Sequence, residues 1–67
     1  MMKTKRPAYL LVPGDVFEYQ GERATMVTYV GEPRSTWNGI YQDAWVRNGD
    51  GCAVKWSINQ YSNLSTF

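Results

Sequence analysis

The sequence predicts an all-β domain: a small barrel of five strands with one short helical turn before the last strand. Three observations predict it. Segments rich in β-branched and aromatic residues recur along the chain, turn-forming Gly, Pro, Asn and Asp separate them, and no stretch carries an apolar stripe at helical spacing. At 67 residues, 43% hydrophobic, 15% aromatic and 19% charged, the chain has the composition of one globular unit, because disordered chains combine few aromatics with high net charge. A domain this short buries only about 60% of the surface its unfolded chain exposes, which leaves a thin core and little room for an enclosed cleft.

Residues 1–7 carry Lys3, Lys5 and Arg6 and read as a flexible basic arm ahead of a single domain over residues 8–67. Pro13-Gly14-Asp15 is turn chemistry, since Pro presets φ, Gly accepts positive φ and Asp bonds its own following backbone. The first strand follows over residues 16–20 and the second over residues 23–30. With Gln20-Gly21 as a two-residue loop, Glu18 falls opposite Arg23 and Phe17 opposite Ala24, an exposed charge pair worth about 0.2–1 kcal/mol. The stretch from Gly31 to Gly39 is too rich in Gly, Pro and Asn for a strand and reads as a protruding loop. Trp37 within it either folds back to cap the barrel or stands out as an anchor.

Ile40 to Arg47 reads as the third strand and Cys52 to Ser57 as the fourth, joined by Asn48-Gly49-Asp50-Gly51, the strongest hairpin signal in the chain. The tail from Ile58 to Asn63 suggests one helical turn, and Leu64 to Phe67 a last small strand. A hairpin loop of two or four residues makes opposing positions sum to an odd number. One face then carries Tyr41, Asp43, Trp45, Arg47, Cys52, Val54 and Trp56, and the other Ile40, Gln42, Ala44, Val46, Ala53 and Lys55. Both faces are substantially apolar, so something covers the second. Either the aromatic face is the core with Asp43 and Arg47 at its rim, or the smaller aliphatic face is inside and Tyr41, Trp45 and Trp56 form an exposed platform beside Arg47.

Five strands with a helical turn before the fifth resemble the SH3-like small-barrel superfold. The likeness rests on Gly14-Asp15 opening the first strand, the tight turn from Asn48 to Gly51, and a turn over residues 57–63 leading into the last strand. It covers most of residues 13–67 at the level of layout, with an OB-like or other five-stranded barrel as the alternative. Members of the superfold include peptide binders, chromatin and RNA binders, ribosome-associated modules and a tiny tetrameric reductase, so the fold by itself implies no function.

Several chemistries are excluded. The chain has no histidine and one cysteine, Cys52, so it lacks the commonest metal ligand and general base and cannot form an internal disulfide. The six glycines match no phosphate-cradling pattern, and the six carboxylates include no pair at a spacing that fixes shared-proton chemistry. The Asn48 to Gly51 turn is far shorter than a 12-residue calcium loop. No cofactor or metal is expected. The longest apolar run, Ala8 to Val12, is too short for an export signal or a membrane span, and with the free cysteine this points to the cytoplasm.

The net charge is +1 and the pI near 7.9, below the value of about 9 expected of a nucleic-acid-binding domain. The expected function is a non-catalytic protein-interaction or regulatory module. It docks a partner chain or a second copy of itself through Trp37, Tyr41, Trp45, Arg47 and Trp56. The alternative is a nucleic-acid binder in which Lys3, Lys5 and Arg6 track phosphates while tryptophans stack bases. An enzyme assembled across subunits, as in the small reductase, is a third expectation of a different class.

Overall fold

The computed structural model describes residues Thr4–Phe67. It is all-β, with six strands in chain order: β1 Thr4–Pro7, β2 Val16–Tyr19, β3 Glu22–Thr36, β4 Gly39–Arg47, β5 Ala53–Asn59 and β6 Asn63–Thr66. All pairings are antiparallel, and the single sheet runs in the order β1-β6-β2-β3-β4-β5. The expected five-stranded closed barrel is therefore corrected to an open, six-stranded sheet that curls without joining its edges.

The edges of the sheet are β1 and β5, and where β5 comes over β2 the seam is filled by side chains. Paired strands lie about 4.8 Å apart. Between β2 and β5, however, the Trp56 ring meets Phe17 edge-on at 6.1 Å and lies 6.2 Å from Tyr19. These rings cover the core between the two strands; β2 already pairs with β3 on one side and β6 on the other, so β5 finds no backbone edge there and stays an edge of the sheet. A polar link across the seam is made by a side chain, with the Asn59 backbone N–H donating to the Tyr19 hydroxyl at 3.2 Å.

The first hairpin follows the expected register: Gln20-Gly21 is its loop, Phe17 pairs with Ala24 and Glu18 with Arg23. Gln20 takes φ 52°, as a type I′ hairpin turn requires of its first central residue. Phe17, Tyr19, Ala24 and Met26 point inward. Strand β3 does not stop at Val30, and the protruding loop expected over residues 31–39 is instead the far half of a long hairpin. Two irregularities make this possible. An extra residue at Val27 turns the strand over, so Met26 and then Tyr29 face the core; a second break between Val30 and Arg34 absorbs Gly31 and Pro33, whose chemistry suits a bulge better than a regular ladder.

The β4–β5 register overturns the expected face assignment. Arg47 pairs with Ala53, Trp45 with Lys55, Val46 with Val54 and Ala44 with Trp56, so opposing positions sum to an even number. The loop has three residues, Gly49-Asp50-Gly51, closed by the Asn48 N–H donating to the Cys52 carbonyl at 2.9 Å. Gly51 sits at φ 82°, the left-handed residue that converts a type I turn into a bulged three-residue hairpin. The Asn48 side-chain oxygen secures it by accepting from both Asp50 N and Cys52 N at 3.0 Å. With this register the two faces separate cleanly. Ala44, Val46, Val54, Trp56 and Ile58 pack on the core, while Trp45, Arg47, Ala53 and Lys55 face outward.

Two further expectations are corrected. The helical turn falls at Ala8–Leu10, a short 3-10 turn between β1 and β2, and β5 meets β6 through a tight turn instead. From Thr4 onward the basic arm is strand β1, with Lys5 opposite Ser65 and Arg6 opposite Leu64; Lys3 lies outside the described residues. No helix among the described residues is long and apolar enough to cross a membrane.

Candidate docking surface

The apolar run Ala8 to Val12, bracketed by Pro7 and Pro13, cannot continue β1 as a strand. Its backbone instead docks on the β5–β6 turn: Ala8 N–H donates to the Ser62 carbonyl at 2.9 Å and Tyr9 N–H to the Gln60 carbonyl at 3.2 Å. Ala8 is fully buried, and its carbonyl accepts from the Tyr29 hydroxyl at 2.5 Å. Burial pushes the Tyr29 hydroxyl above its ordinary pKa, with a smaller opposing effect from the neighbouring Gln60 amide. The turn is tied to β4 in the same way, since Gln60 N–H donates to the Ile40 carbonyl at 2.7 Å.

These bonds leave side chains of three segments around one groove of about 370 Å³, walled by Tyr9, Tyr61, Pro33 and Ile40 over the buried Gln60. Tyr9 and Tyr61 meet edge to face at 6.2 Å, yet they stay 53% and 64% exposed. One wall continues into the β3–β4 hairpin, where Ser35 pairs with Ile40 and Thr36 with Gly39. Trp37 stands at its tip, about 7 Å beyond Ile40 at the rise of a β-strand, and is 96% exposed. Trp37 thus stands out into solvent and does not cap the core.

The hairpin is braced at its base. Arg34 donates to both carboxylate oxygens of Asp43 at 3.2 and 3.3 Å, and to the Ser57 hydroxyl at 3.4 Å. The guanidinium holds the Asp43 carboxyl below the usual carboxylate range, and Asp43 in turn raises Arg34. Gln42 adds a bond from its amide to the Gly31 carbonyl at 2.9 Å, filling the second break in β3.

The sequence-predicted site residues do not form one surface. Trp56 belongs to the core side of the seam, facing a polar cleft of about 280 Å³ with Tyr19, Gln20, Glu22, Lys55 and Ser57. Tyr41 is half-buried in an adjoining cleft of about 410 Å³ between the Gln20-Gly21 turn and the start of β6. Trp45 and Arg47 share the open outer face of the sheet, and Trp37 is at the hairpin tip. Lys5 and Arg6 are on β1, with β6, β2 and β3 between them and the strand that carries Trp45. The groove residues Tyr9, Pro33, Ile40 and Tyr61 are missing from the sequence reading. The signal for Tyr9 is an apolar run held between two prolines, and nothing local in the sequence links Pro33, Ile40 and Tyr61 to it.

Among the described residues no three Cys, Asp or Glu side chains converge as metal ligands would. Comparison with family models, with curated proteins and with solved structures finds no match to this chain.

Proposed function

We propose that this protein is a non-catalytic interaction module that docks an extended apolar segment of a partner protein. The observation that carries the reading is the groove of Tyr9, Tyr61, Pro33 and Ile40 continued by the Trp37 hairpin. Contiguous apolar surface on a small chain marks an interaction site, and tyrosine and tryptophan are the side chains that most often dominate binding energy. The groove is held by backbone hydrogen bonds from three segments. It therefore presents its rings without an ordering cost at the moment of binding. An extended segment lying over the Tyr9–Tyr61 pair and along Ile40 reaches Trp37 about two residues further on. The order β6-β2-β3-β4-β5, in which the last strand returns beside the first of a four-strand meander, supports an SH3-like relationship for the architecture.

Selection from a random peptide library displayed on phage tests the proposal. Recovered peptides should share apolar residues, and Tyr61→Ala and Trp37→Ala should each weaken their binding at least about tenfold, equivalent to 1.4 kcal/mol. Trp45→Ala should leave it unchanged. Failure to select any peptide, or binding indifferent to both variants, would overturn the reading. Concentration-dependent sedimentation abolished by the same two variants would replace the foreign partner with a second copy of the chain.

A further inference from the structure

The outer face of β3, β4 and β5 lies away from the groove, and the register fixes what it presents. Thr28, Trp45 and Lys55 form one row across the three strands, and Thr25, Arg47 and Ala53 the next. Arg23 lies two residues from Thr25, before the Val27 bulge, and shares that face. All of Arg23, Trp45, Arg47 and Lys55 are exposed. Directly opposed residues in an antiparallel pair have Cβ atoms about 4.5–5.5 Å apart and diagonal neighbours about 7–8 Å. Trp45 therefore has Lys55 directly opposite and Arg47 two residues along its own strand, with Asp43 two residues the other way.

Two of the cations are held in place. Arg47 donates to the Gly51 carbonyl at 2.8 Å, which lays it along the hairpin, and the Arg23 guanidinium sits 3.8 Å from the centroid of the Phe67 ring. The acids on this face include Glu18, opposite Arg23, and Asp43, which is engaged by Arg34 and also interacts with Lys55, while Glu22 lines the neighbouring cleft together with Lys55. Neither ion pair found among the described residues involves Arg47 or Lys55. The face carries Arg23, Arg34, Arg47 and Lys55, all four of the cations of residues 8–67, whereas the whole chain has a net charge of only +1. The positive charge is gathered where an indole is exposed.

We propose that this face binds single-stranded nucleic acid, with one base stacked on Trp45 and the flanking phosphates at Arg47 and Lys55. A stacked base has an aromatic face to match the indole, and phosphates at the spacing of a single strand complement the cations beside it. Thr25 and Thr28 supply hydroxyls between the cations. This surface differs from the nucleic-acid expectation read from the sequence, because its cations come from β3–β5 and not from the chain terminus.

The test is fluorescence anisotropy of a fluorescein-labelled oligothymidylate of about 12 nucleotides, titrated with the full chain at several salt concentrations. Binding should weaken with salt with a log–log slope of about −1.4, the value for two phosphates on a single strand. Trp45→Ala should weaken it by about 5- to 150-fold, while Trp45→Phe, which keeps a ring, recovers most of the affinity. The double variant Arg47→Glu with Lys55→Glu should abolish it, and Trp37→Ala should leave it intact. Amide NMR spectra of each variant establish that the fold persists. Absence of binding at low salt, or equal affinity of wild type and Trp45→Ala, would overturn the proposal. So would loss of binding on replacing Lys5 and Arg6 alone. Tighter binding of a poly-glutamate peptide with the same dependence on Trp45 would reassign the face to an acidic protein.

Discussion

Trp45 and Trp56 sit on neighbouring strands and look in opposite directions, because Trp56 pairs with Ala44 and Trp45 with Lys55. Trp56 packs with Phe17 and Tyr19 where the sheet fails to close, whereas Trp45 is 41% exposed. Truncation should separate them. Trp56→Ala is expected to cost about 2–4 kcal/mol, toward the low end for a core tryptophan since its ring is half-buried. Trp45→Ala is expected to cost less than about 1 kcal/mol. Urea unfolding of the two variants checks this, and equal losses would contradict the register.

Gly51 and Gly49 bracket Asp50 in the same loop but differ in conformation, with Gly51 alone of the two at positive φ. A Cβ meets no atom at either position, so packing does not distinguish them. Gly51→Ala should destabilise by about 1–2 kcal/mol through the left-handed backbone alone. Gly49→Ala should fall within about 0.5 kcal/mol of wild type. Thermal unfolding of the pair provides the measurement.

That loop also explains how far the sequence could be read. Strand identities, the Gln20-Gly21 hairpin and the all-β class follow from residue type and turn chemistry, which act locally. The faces of β4 and β5 depend on whether the loop has two, three or four residues. Asn48 and Gly51 decide this together, through a side-chain oxygen that accepts two backbone amides. A change of one residue reverses every face assignment, so a loop counted as two or four residues puts Trp56 on the face of Trp45. The extra residue at Val27 has the same effect on β3. The groove was illegible for a different reason: Tyr9, Pro33, Ile40 and Tyr61 come from segments far apart in the chain, and only the tertiary bonds of Ala8, Tyr9 and Gln60 bring them together.

The Tyr29 hydroxyl ties β3 to the start of the 3-10 turn through the Ala8 carbonyl, which also accepts from Leu11 N–H at 3.1 Å. Tyr29→Phe leaves that carbonyl with one donor and should cost about 0.5–1.5 kcal/mol, the loss of a hydrogen bond without a stranded acceptor. The raised pKa sets the sign of the alkaline response. The fold favours the neutral phenol, so this contribution is complete below the unfolded value of about 10 and is lost as pH rises through the higher folded value. Tyr29→Phe should unfold at a higher pH relative to its own neutral-pH stability, as alkaline titrations by circular dichroism would show.

Asp43 responds at the other end of the pH scale. Its folded pKa is lowered, chiefly by the Arg34 hydrogen bonds, so the stabilisation it provides is present above the unfolded value of about 3.9 and lost as pH falls through the lower folded value. Carboxyl carbon NMR should show Asp43 titrating below the ordinary range, and Arg34→Gln should return it toward that range. The pair is exposed, so salt should reduce the shift. A titration midpoint unaffected by Arg34→Gln would refute the assignment.

Gly39 links the hairpin that carries Trp37 to the turn that carries Tyr61. It sits at φ 146°, and a Cβ there would lie 2.8 Å from the Asn59 side-chain nitrogen. The Asn59 amide cannot move freely, because its oxygen accepts from Tyr61 N–H at 3.0 Å. Gly39→Ala should therefore cost about 1–3 kcal/mol, from backbone strain and from displacement of that amide. The loss should be accompanied by amide shifts at Gln60 and Tyr61 on the far side of the groove. Asn59→Ala removes the obstacle and also the bond to Tyr61, so by itself it should destabilise. Combined with Gly39→Ala it should cost less than the two single losses added together, because the clash is then gone, and contacting residues commonly show such coupling at about 0.5–3 kcal/mol. Strict additivity in a double-mutant cycle would show that Gly39 and Asn59 act independently, and that the hairpin and the Tyr61 turn are not coupled through them.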